Sequence, residues 1–134
     1  FLKLSELQPN QSNKSMNWSI DKPLVLDENG STLAATMVKG QGLSLKKCNK
    51  NLDVQFRKGG ESIRPVGHKI TKKLKKLFQE NHILPWVRDK IPLIYQKSEL
   101  IGVGDLWFNR NYTASTDEDG FIVNWIRNIN IKHN

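Results

Sequence analysis

The residues that could act as nucleophiles, bases or metal ligands are few and widely spaced. The single thiol, Cys48, could act as a nucleophile only with a histidine as its base. The histidines are His68, His82 and His133, and nothing in their spacing brings any of them to the thiol or makes a zinc site. The acidic run at 117–119 is typical of a solvated turn. The sequence therefore predicts no catalytic residues and no metal ligands.

Three glycine pairs could belong to phosphate-binding loops, and none has the right context. Gly40-Gln41-Gly42 and Gly102-Val103-Gly104 carry only part of the dinucleotide-binding pattern, and neither opens a predicted helix. The segment 58–62, KGGES, resembles a phosphate loop faintly but lies between two predicted strands, so no helix N-terminus faces it. We therefore expect no cofactor in this chain.

The positive charge is concentrated in one short segment. The 134 residues carry a net charge of +8, but residues 57–76 hold eight basic groups against Glu61 alone, a net of +7. The segments before and after carry +2 and −1. Such a concentrated field favours an anionic partner, with nucleic acid as the first candidate and a membrane surface as the second. A solvated helix face that keeps the protein soluble is the alternative.

Basic side chains of this kind suit contact with RNA phosphates. A-form RNA hides its base edges in a deep groove, so proteins bind its phosphates and 2′-hydroxyls, with lysine as a point charge and arginine as a bidentate donor. Arg88 could instead form a structural ion pair with Asp89 or Glu61. The predicted RNA-binding residues are Arg57, Lys58, Arg64, Lys69, Lys72, Lys73, Lys75, Lys76 and Arg88.

The strongest helix pattern covers residues 71–81, where Thr71 can serve as the N-cap. One face of this helix is apolar and the opposite face is polar. The apolar residues are Ile70, Leu74, Leu77 and Phe78; the polar ones are Lys72, Lys75, Lys76 and Gln79. The pattern predicts a helix that buries one side and offers a row of lysines on the other.

A second short helix is expected at Trp86–Lys90, since Pro85 suits its first position and Pro92 ends it. Trp86 could be a platform on which a nucleic-acid base stacks. Its apolar neighbourhood favours a core position instead. Trp18, Trp107 and Trp125 fall in strand-like runs and are also predicted to be core.

Short strand-like runs separated by turn signals make up most of the remaining chain. In residues 52–57 the apolar side chains alternate, and Gly59-Gly60 is expected to turn the chain into a returning strand at 61–64. This pattern predicts an α+β fold, a small sandwich-like or barrel-like domain with one or two short helices. The other predicted strands are Trp18–Ile20, Leu24–Leu26, Thr32–Val38, Leu43–Leu45, Pro92–Tyr95, Leu100–Phe108 and Phe121–Ile126.

Length and composition predict one domain at 18–134, preceded by a tail or linker at 1–17. The chain has no initiator methionine, so we expect it to be a piece of something longer. No apolar run approaches the roughly 20 residues that span a bilayer. A single cysteine agrees with a reducing compartment, and we expect a cytoplasmic protein without membrane contact.

Residues 54–108 carry an ordered series of motifs, namely Phe56-Arg57, Gly59-Gly60, Arg64-Pro65, Leu74–Glu80, Pro85–Asp89, Pro92–Tyr95 and Leu100–Phe108. This series resembles the C-terminal domain of tRNA(Ile)-lysidine synthetase, and a weaker likeness extends back to about Trp18. One departure is His68, where the family often has an arginine after the glycine.

The resemblance implies a fold and a role. The fold would be a small α+β domain with a β-sandwich, shared with a domain of phenylalanyl-tRNA synthetase. The family's enzyme is a ligase of tRNA modification that uses ATP, with magnesium, to attach lysine to the wobble cytidine of a minor isoleucine tRNA. Its phosphate loop, Ser-Gly-Gly-x-Asp-Ser, belongs to a separate N-terminal domain and does not occur in these residues. This chain would be the tRNA-binding part, inactive alone.

Two other functions remain open at this point. The chain could be a protein-interaction domain that docks onto the catalytic domain of its own enzyme, with little direct RNA contact. It could also be a small hydrolase or transferase that uses the histidines. This is the least favoured of the functions, because the spacing of the histidines and Cys48 does not bring them together. Turnover abolished by substitution of His68 or His82 would support that last function.

Overall fold

The computed structural model describes residues 15–27 and 30–127, so most of the predicted tail at 1–17 lies outside the described residues. Short antiparallel strands dominate this part of the chain. In chain order the strands are β1 (Met16–Ser19), β2 (Leu24–Val25), β3 (Thr32–Lys39), β4 (Leu43–Ser44), β5 (Asn51–Gln55), β6 (Ser62–Ile63), β7 (Lys72–Lys73), β8 (Leu93–Gln96), β9 (Glu99–Val103), β10 (Trp107–Phe108) and β11 (Asp119–Ile126). The helices are α1 (Leu74–Glu80), α2 (Pro85–Arg88) and a 3-10 turn at Arg110–Tyr112.

Two larger sheets and one two-stranded ribbon organise these strands. One sheet has the order β1-β5-β8-β9-β10 and the other the order β2-β3-β11-β4, while β6 pairs only with β7. The longest pairing joins β3 and β11 antiparallel over eight residue pairs, from Thr32 with Ile126 to Lys39 with Asp119. The predicted α+β class of short strands with few short helices is confirmed.

Both larger sheets and α1 bury apolar side chains in one cluster. Trp18 and Leu52 enter it from the first sheet, Leu33 and Phe121 from the second, and Phe78 from α1; each is at most 1% exposed. Trp18 and Trp125 are buried as predicted, and Trp107 is partly buried against the cluster. Burying side chains of this size supplies most of the stability of such a domain.

The predicted hairpin of strands 52–57 and 61–64 is wrong. In the structure β5 lies between β1 and β8, and the segment after the glycines pairs with β7 instead. The reason lies in apolar burial, because β8 brings the fully buried Leu93 and Ile94 to β5. The residues at 61–64 offer only Ile63 for the same purpose.

The first helix begins three residues later than predicted. Its N-cap is Lys73 in an extended conformation with no side-chain cap, so Thr71 is not the cap. Pairing of β7 with β6 holds residues 72 and 73 extended and prevents an earlier helical start. Leu74, Leu77 and Phe78 are buried as predicted, but Ile70 precedes β7 and is 64% exposed.

Two further elements differ from the sequence prediction in detail. The short helix α2 begins at Pro85 and ends at Arg88, close to expectation. Its Trp86 is 66% exposed, so the predicted core position is wrong. The predicted strand at 100–108 is two strands, β9 and β10, paired antiparallel around a turn at 104–106. Within the described ranges, no helix is long and apolar enough to cross a membrane.

Candidate nucleic-acid interface

A groove of about 360 Å³ lies among the basic residues of segment 57–76. Three separate elements build it, which explains why sequence spacing alone did not reveal it. Arg57 follows the end of β5, Lys73 ends β7, and Lys75 is the second residue of α1. The groove is lined by Arg57, Gly59, Gly60, Glu61, Lys73 and Lys75. Three cations around one concave surface, with one carboxylate among them, suit an anionic ligand.

The floor of this groove is a turn that Glu61 holds together. The Glu61 carboxylate accepts hydrogen bonds from the backbone N–H of Lys58 at 2.7 Å and from that of Gly59 at 3.0 Å. Gly59 and Gly60 have φ angles of +113° and +85°, a region that favours glycine. Two of the backbone amides that a phosphate loop would offer, those of Lys58 and Gly59, are therefore already paired with a carboxylate, which would also repel a phosphate. These residues thus do not fit an ATP phosphate site.

Arg57 is fixed by two contacts beside the groove. Its Nη1 donates to Asp89 Oδ1 at 3.4 Å, and its guanidinium lies 5.7 Å from the centre of the Phe78 ring. Arg88 lies 5.8 Å from the same ring, and its Nε donates to the Ile83 carbonyl at 2.8 Å. Asp89 thus pairs with Arg57, and the alternative ion pair of Arg88 with Asp89 or Glu61 does not form among the described residues. Arg88 instead ties α2 to the segment before it.

The predicted lysine row on one helix face divides into two groups. Lys72 and Lys73 are adjacent in β7, and adjacent strand residues point to opposite sides. Lys73 therefore lines the groove, while Lys72 Nζ lies 2.8 Å from Glu80 Oε1 on the other side. The hydrogen bond from Lys72 lowers the pKa of Glu80, and the charges of Lys72, Lys76 and His68 add to this effect. Lys76 therefore belongs to the group around Glu80.

The remaining predicted RNA-binding residues lie outside this lining. Lys58 contributes its backbone amide to the turn, and its side chain is exposed. Lys69 is exposed in the loop before β7. Arg64 is half-buried, and its Nε is buried without a hydrogen-bond partner among the described residues. The structure thus brings Arg57, Lys73 and Lys75 together and leaves Arg64 and Lys69 outside the groove.

Cys48 and Glu118, of the acidic run at 117–119, have contacts that stabilise the fold rather than contacts typical of a catalytic site. Cys48 is buried, and burial raises the pKa of its thiol to about 12. Glu118 accepts a hydrogen bond from the Ser115 backbone amide at 2.8 Å and lies 3.8 Å from Lys47 Nζ. Across residues 15–27 and 30–127, no three histidine, cysteine, aspartate or glutamate side chains form a metal-binding cluster. His133 lies outside the described residues.

The fold and the groove can be compared with known proteins. The family model described as the TilS substrate C-terminal domain matches residues 52–125, which include all the groove residues. The chain belongs to this family. The matched span begins in β5 and ends in β11, so it also covers α1, α2 and the contact between Arg57, after β5, and Asp89, at the end of α2.

Relatives of this C-terminal domain are named tRNA(Ile)-lysidine synthase. One from Coxiella burnetii is 37% identical over 108 residues, covering 81% of this chain and 24% of the relative. One from Legionella pneumophila strain Paris is 40% identical over 104 residues, covering 73% of this chain and 23% of the relative. The chain thus spans about a quarter of the length of the relatives it matches.

A solved structure shows a similar fold. It is described as the crystal structure of TILS C-terminal domain, and it matches with a TM-score of 0.63 at 19% identity. The match covers 84% of this chain and 97% of that chain. The arrangement of sheets and short helices described above is therefore the fold of a TilS C-terminal domain.

Sequence reasoning missed two features of this TilS C-terminal domain. The first is the role of Glu61 in the turn, since the sequence suggested this residue only as the lone acid of a basic segment and as a possible partner of Arg88. An acidic residue directly after a Gly-Gly pair was the available signal, since it can reach back to the turn's amides. The second is the exposure of Trp86, and no local pattern could show it because a four-residue helix has no full apolar face.

Proposed function

We propose that this chain is the tRNA-binding C-terminal part of a tRNA(Ile)-lysidine synthase. The complete enzyme would use ATP, with magnesium, to ligate lysine to the wobble cytidine of a minor isoleucine tRNA. The membership of the chain in the TilS substrate C-terminal domain family supports this proposal. In it, the partners of the chain are tRNA(Ile) and the N-terminal catalytic domain of the same enzyme, in the cytoplasm.

The observation that carries the RNA-binding role is the convergence of Arg57, Lys73 and Lys75 on one groove. Lys73 and Lys75 are two residues apart where β7 meets α1, whereas Arg57 follows β5, so the meeting of the arginine with the two lysines depends on the fold. Arginine and lysine side chains around a concave surface raise the local concentration of an anion and contact its phosphates. Lys58 and the group formed by Lys72 and Lys76 would extend the positive surface on either side.

The chemistry of the ligase would lie outside this chain. The turn at 58–61 does not fit ATP because Glu61 accepts the hydrogen bonds that a phosphate would need. Cys48 is buried with a raised thiol pKa and does not offer a nucleophile. We therefore expect the purified chain to bind tRNA without consuming ATP or forming lysidine.

Exposed apolar side chains near the basic segment favour a second candidate function, docking onto the catalytic domain. Val66 and Ile70 are 58% and 64% exposed in the loop between β6 and β7. A protein partner that covers such side chains gains apolar burial. In this alternative the chain would bind the catalytic domain in a way that survives moderate salt, with little direct RNA contact.

Binding of a tRNA(Ile) transcript to the purified chain, measured by fluorescence anisotropy, tests the proposal. We expect measurable binding at low salt that weakens steeply as salt is raised, because phosphate contacts release counterions. Absence of tRNA binding, together with salt-resistant binding to the separately purified catalytic domain, would support docking instead. ATP consumption by the chain alone, dependent on lysine and tRNA, would contradict the proposal that the ligase active site lies outside this chain.

A further inference from the structure

Trp86 is the most exposed large apolar side chain in the described part of the chain, at 66% exposed. The other three tryptophans are buried or partly buried. Trp18 and Trp125 are 1% and 8% exposed, and Trp107 packs partly buried against the core. An aromatic ring left in water offers a flat apolar surface for a ligand.

The helix that carries Trp86 is held in place from three sides. Val87 packs against the core, and Arg88 Nε donates to the Ile83 carbonyl at 2.8 Å. Asp89, which caps the helix, accepts a hydrogen bond from Arg57 at 3.4 Å. The ring of Trp86 is therefore presented on a backbone that is already fixed, so a ligand would not have to order the helix.

The same contact links Trp86 to the groove. Residues three apart on a helix are neighbours, about 5–6 Å apart at their Cβ atoms. Trp86 and Asp89 have this spacing, and Asp89 in turn contacts Arg57, which lines the groove. The helix that carries the exposed ring is thus tied, through Asp89 at its C-terminal end, to a cation that lines the groove.

We propose that Trp86 stacks on an unpaired base of the RNA whose phosphates lie in the groove of Arg57, Lys73 and Lys75. The proposal rests on the proposed function and deepens it by naming the class of ligand. Bases inside a duplex already stack on each other, whereas an unpaired base at an end or in a loop has a free face. The preferred RNA is therefore one that carries unpaired nucleotides next to a helix.

The experiment compares two RNA hairpins whose identical stems are closed by a hexaethylene glycol linker in place of loop nucleotides. One hairpin is blunt, and the other carries a four-nucleotide 3′ overhang as its only unpaired nucleotides. The wild-type chain is expected to bind the overhang hairpin about ten-fold more tightly than the blunt one, since base–aromatic stacking has this order of effect. Trp86→Ala is expected to remove that preference while leaving blunt-hairpin binding within about two-fold. Trp86→Phe, which keeps an aromatic face, is expected to retain most of the preference.

Iodide quenching supplies an independent readout. Trp86 is the exposed tryptophan of the described residues, so we expect most quenching in the free chain to come from it. The overhang hairpin should protect this emission and the blunt hairpin should not. Equal binding of both hairpins by the wild-type chain, or an equal loss for both in Trp86→Ala, would overturn the stacking proposal alone. Failure of the wild-type chain to bind either hairpin at low salt would overturn the proposed function as well.

Discussion

The Glu61 carboxylate accepts a 2.7 Å hydrogen bond from the backbone amide of Lys58, three residues before it. A second amide, that of Gly59, donates to the same carboxylate. The only acid of a strongly basic segment is thus used to close the turn at the floor of the groove. Arg57 immediately precedes this turn, and it lines the groove together with Lys73 and Lys75.

Glu61→Ala should destabilise the domain by about 1 kcal/mol, because two backbone amides lose a charged acceptor in a partly exposed turn. Glu61→Gln keeps one carbonyl acceptor and should cost less. Urea titration followed by circular dichroism measures both values. Ser62→Ala, at an exposed position of the adjacent strand β6, is the matched control and should stay within about 0.5 kcal/mol. Equal values for Glu61→Ala and Ser62→Ala would show that the turn does not depend on the carboxylate.

Leu77→Ala should lower the free energy of unfolding by about 2–5 kcal/mol, since Leu77 is 1% exposed and its loss leaves a cavity. Lys76→Ala, one residue earlier on the exposed side of α1, should change it by less than about 0.5 kcal/mol. Urea titrations of the two variants compare the faces of the same helix. Similar losses of unfolding free energy in both variants would contradict the assignment of Leu77 to the buried face of α1 and Lys76 to the exposed face.

Local patterns in the sequence predicted the parts of the fold that depend on local burial. Leu74, Leu77 and Phe78 form the buried stripe of α1, and Leu52 and Val54 alternate into the core from β5. These positions follow from the helical and strand periods, which act within a few residues. The α+β class was therefore accessible from the sequence, and the family resemblance came separately from the ordered motifs at residues 54–108.

Pairings between distant segments could not be predicted in the same way. Thr71 has the chemistry of an N-cap, but the β6–β7 ribbon keeps residues 72 and 73 extended, so the helix starts at Leu74. The same ribbon turns Lys72 away from Lys75 and toward Glu80. A helical wheel cannot register this change, because it assumes that Lys72 is already helical.

The candidate site shows the same limit. Concentrated charge at 57–76 predicted the right region, yet only three of the nine proposed side chains line the groove as cations. Arg57 lines the groove with its guanidinium hydrogen-bonded to Asp89, which lies 32 residues later in the chain. Contacts of that range depend on where β5 and α2 meet, which residue type and spacing do not specify.

Tyr112 should ionise well above an ordinary tyrosine. Its hydroxyl donates to Glu99 Oε1 at 2.6 Å, and this hydrogen bond, with burial and the Glu99 charge, raises the Tyr112 pKa to about 12. A pKa raised in the folded state means stability that is present below pH 10 and lost as pH rises toward 12. Spectrophotometric titration should show the shift, and Glu99→Gln should bring the value back toward 10.

The thiol of Cys48 should be unreactive while the domain is folded. Burial raises its pKa to about 12, and the thiolate is the species that reacts with disulfide reagents. We expect slow labelling by a disulfide reagent at pH 8 and rapid labelling in 8 M urea. Labelling in native buffer at the rate of the unfolded chain would contradict the buried position and reopen a role for the thiol.

The most direct test of the central claim is the salt dependence of tRNA binding by the double variant Lys73→Ala/Lys75→Ala. Each lost phosphate contact should flatten the slope of log affinity against log salt by about 0.7–0.9, so the double variant should lose about 1.5. The control Lys39→Ala/Lys50→Ala removes two exposed lysines outside segment 57–76 with the same charge change, and should keep the wild-type slope. Equal slopes in the folded groove variant and the wild type would contradict an RNA site in this groove.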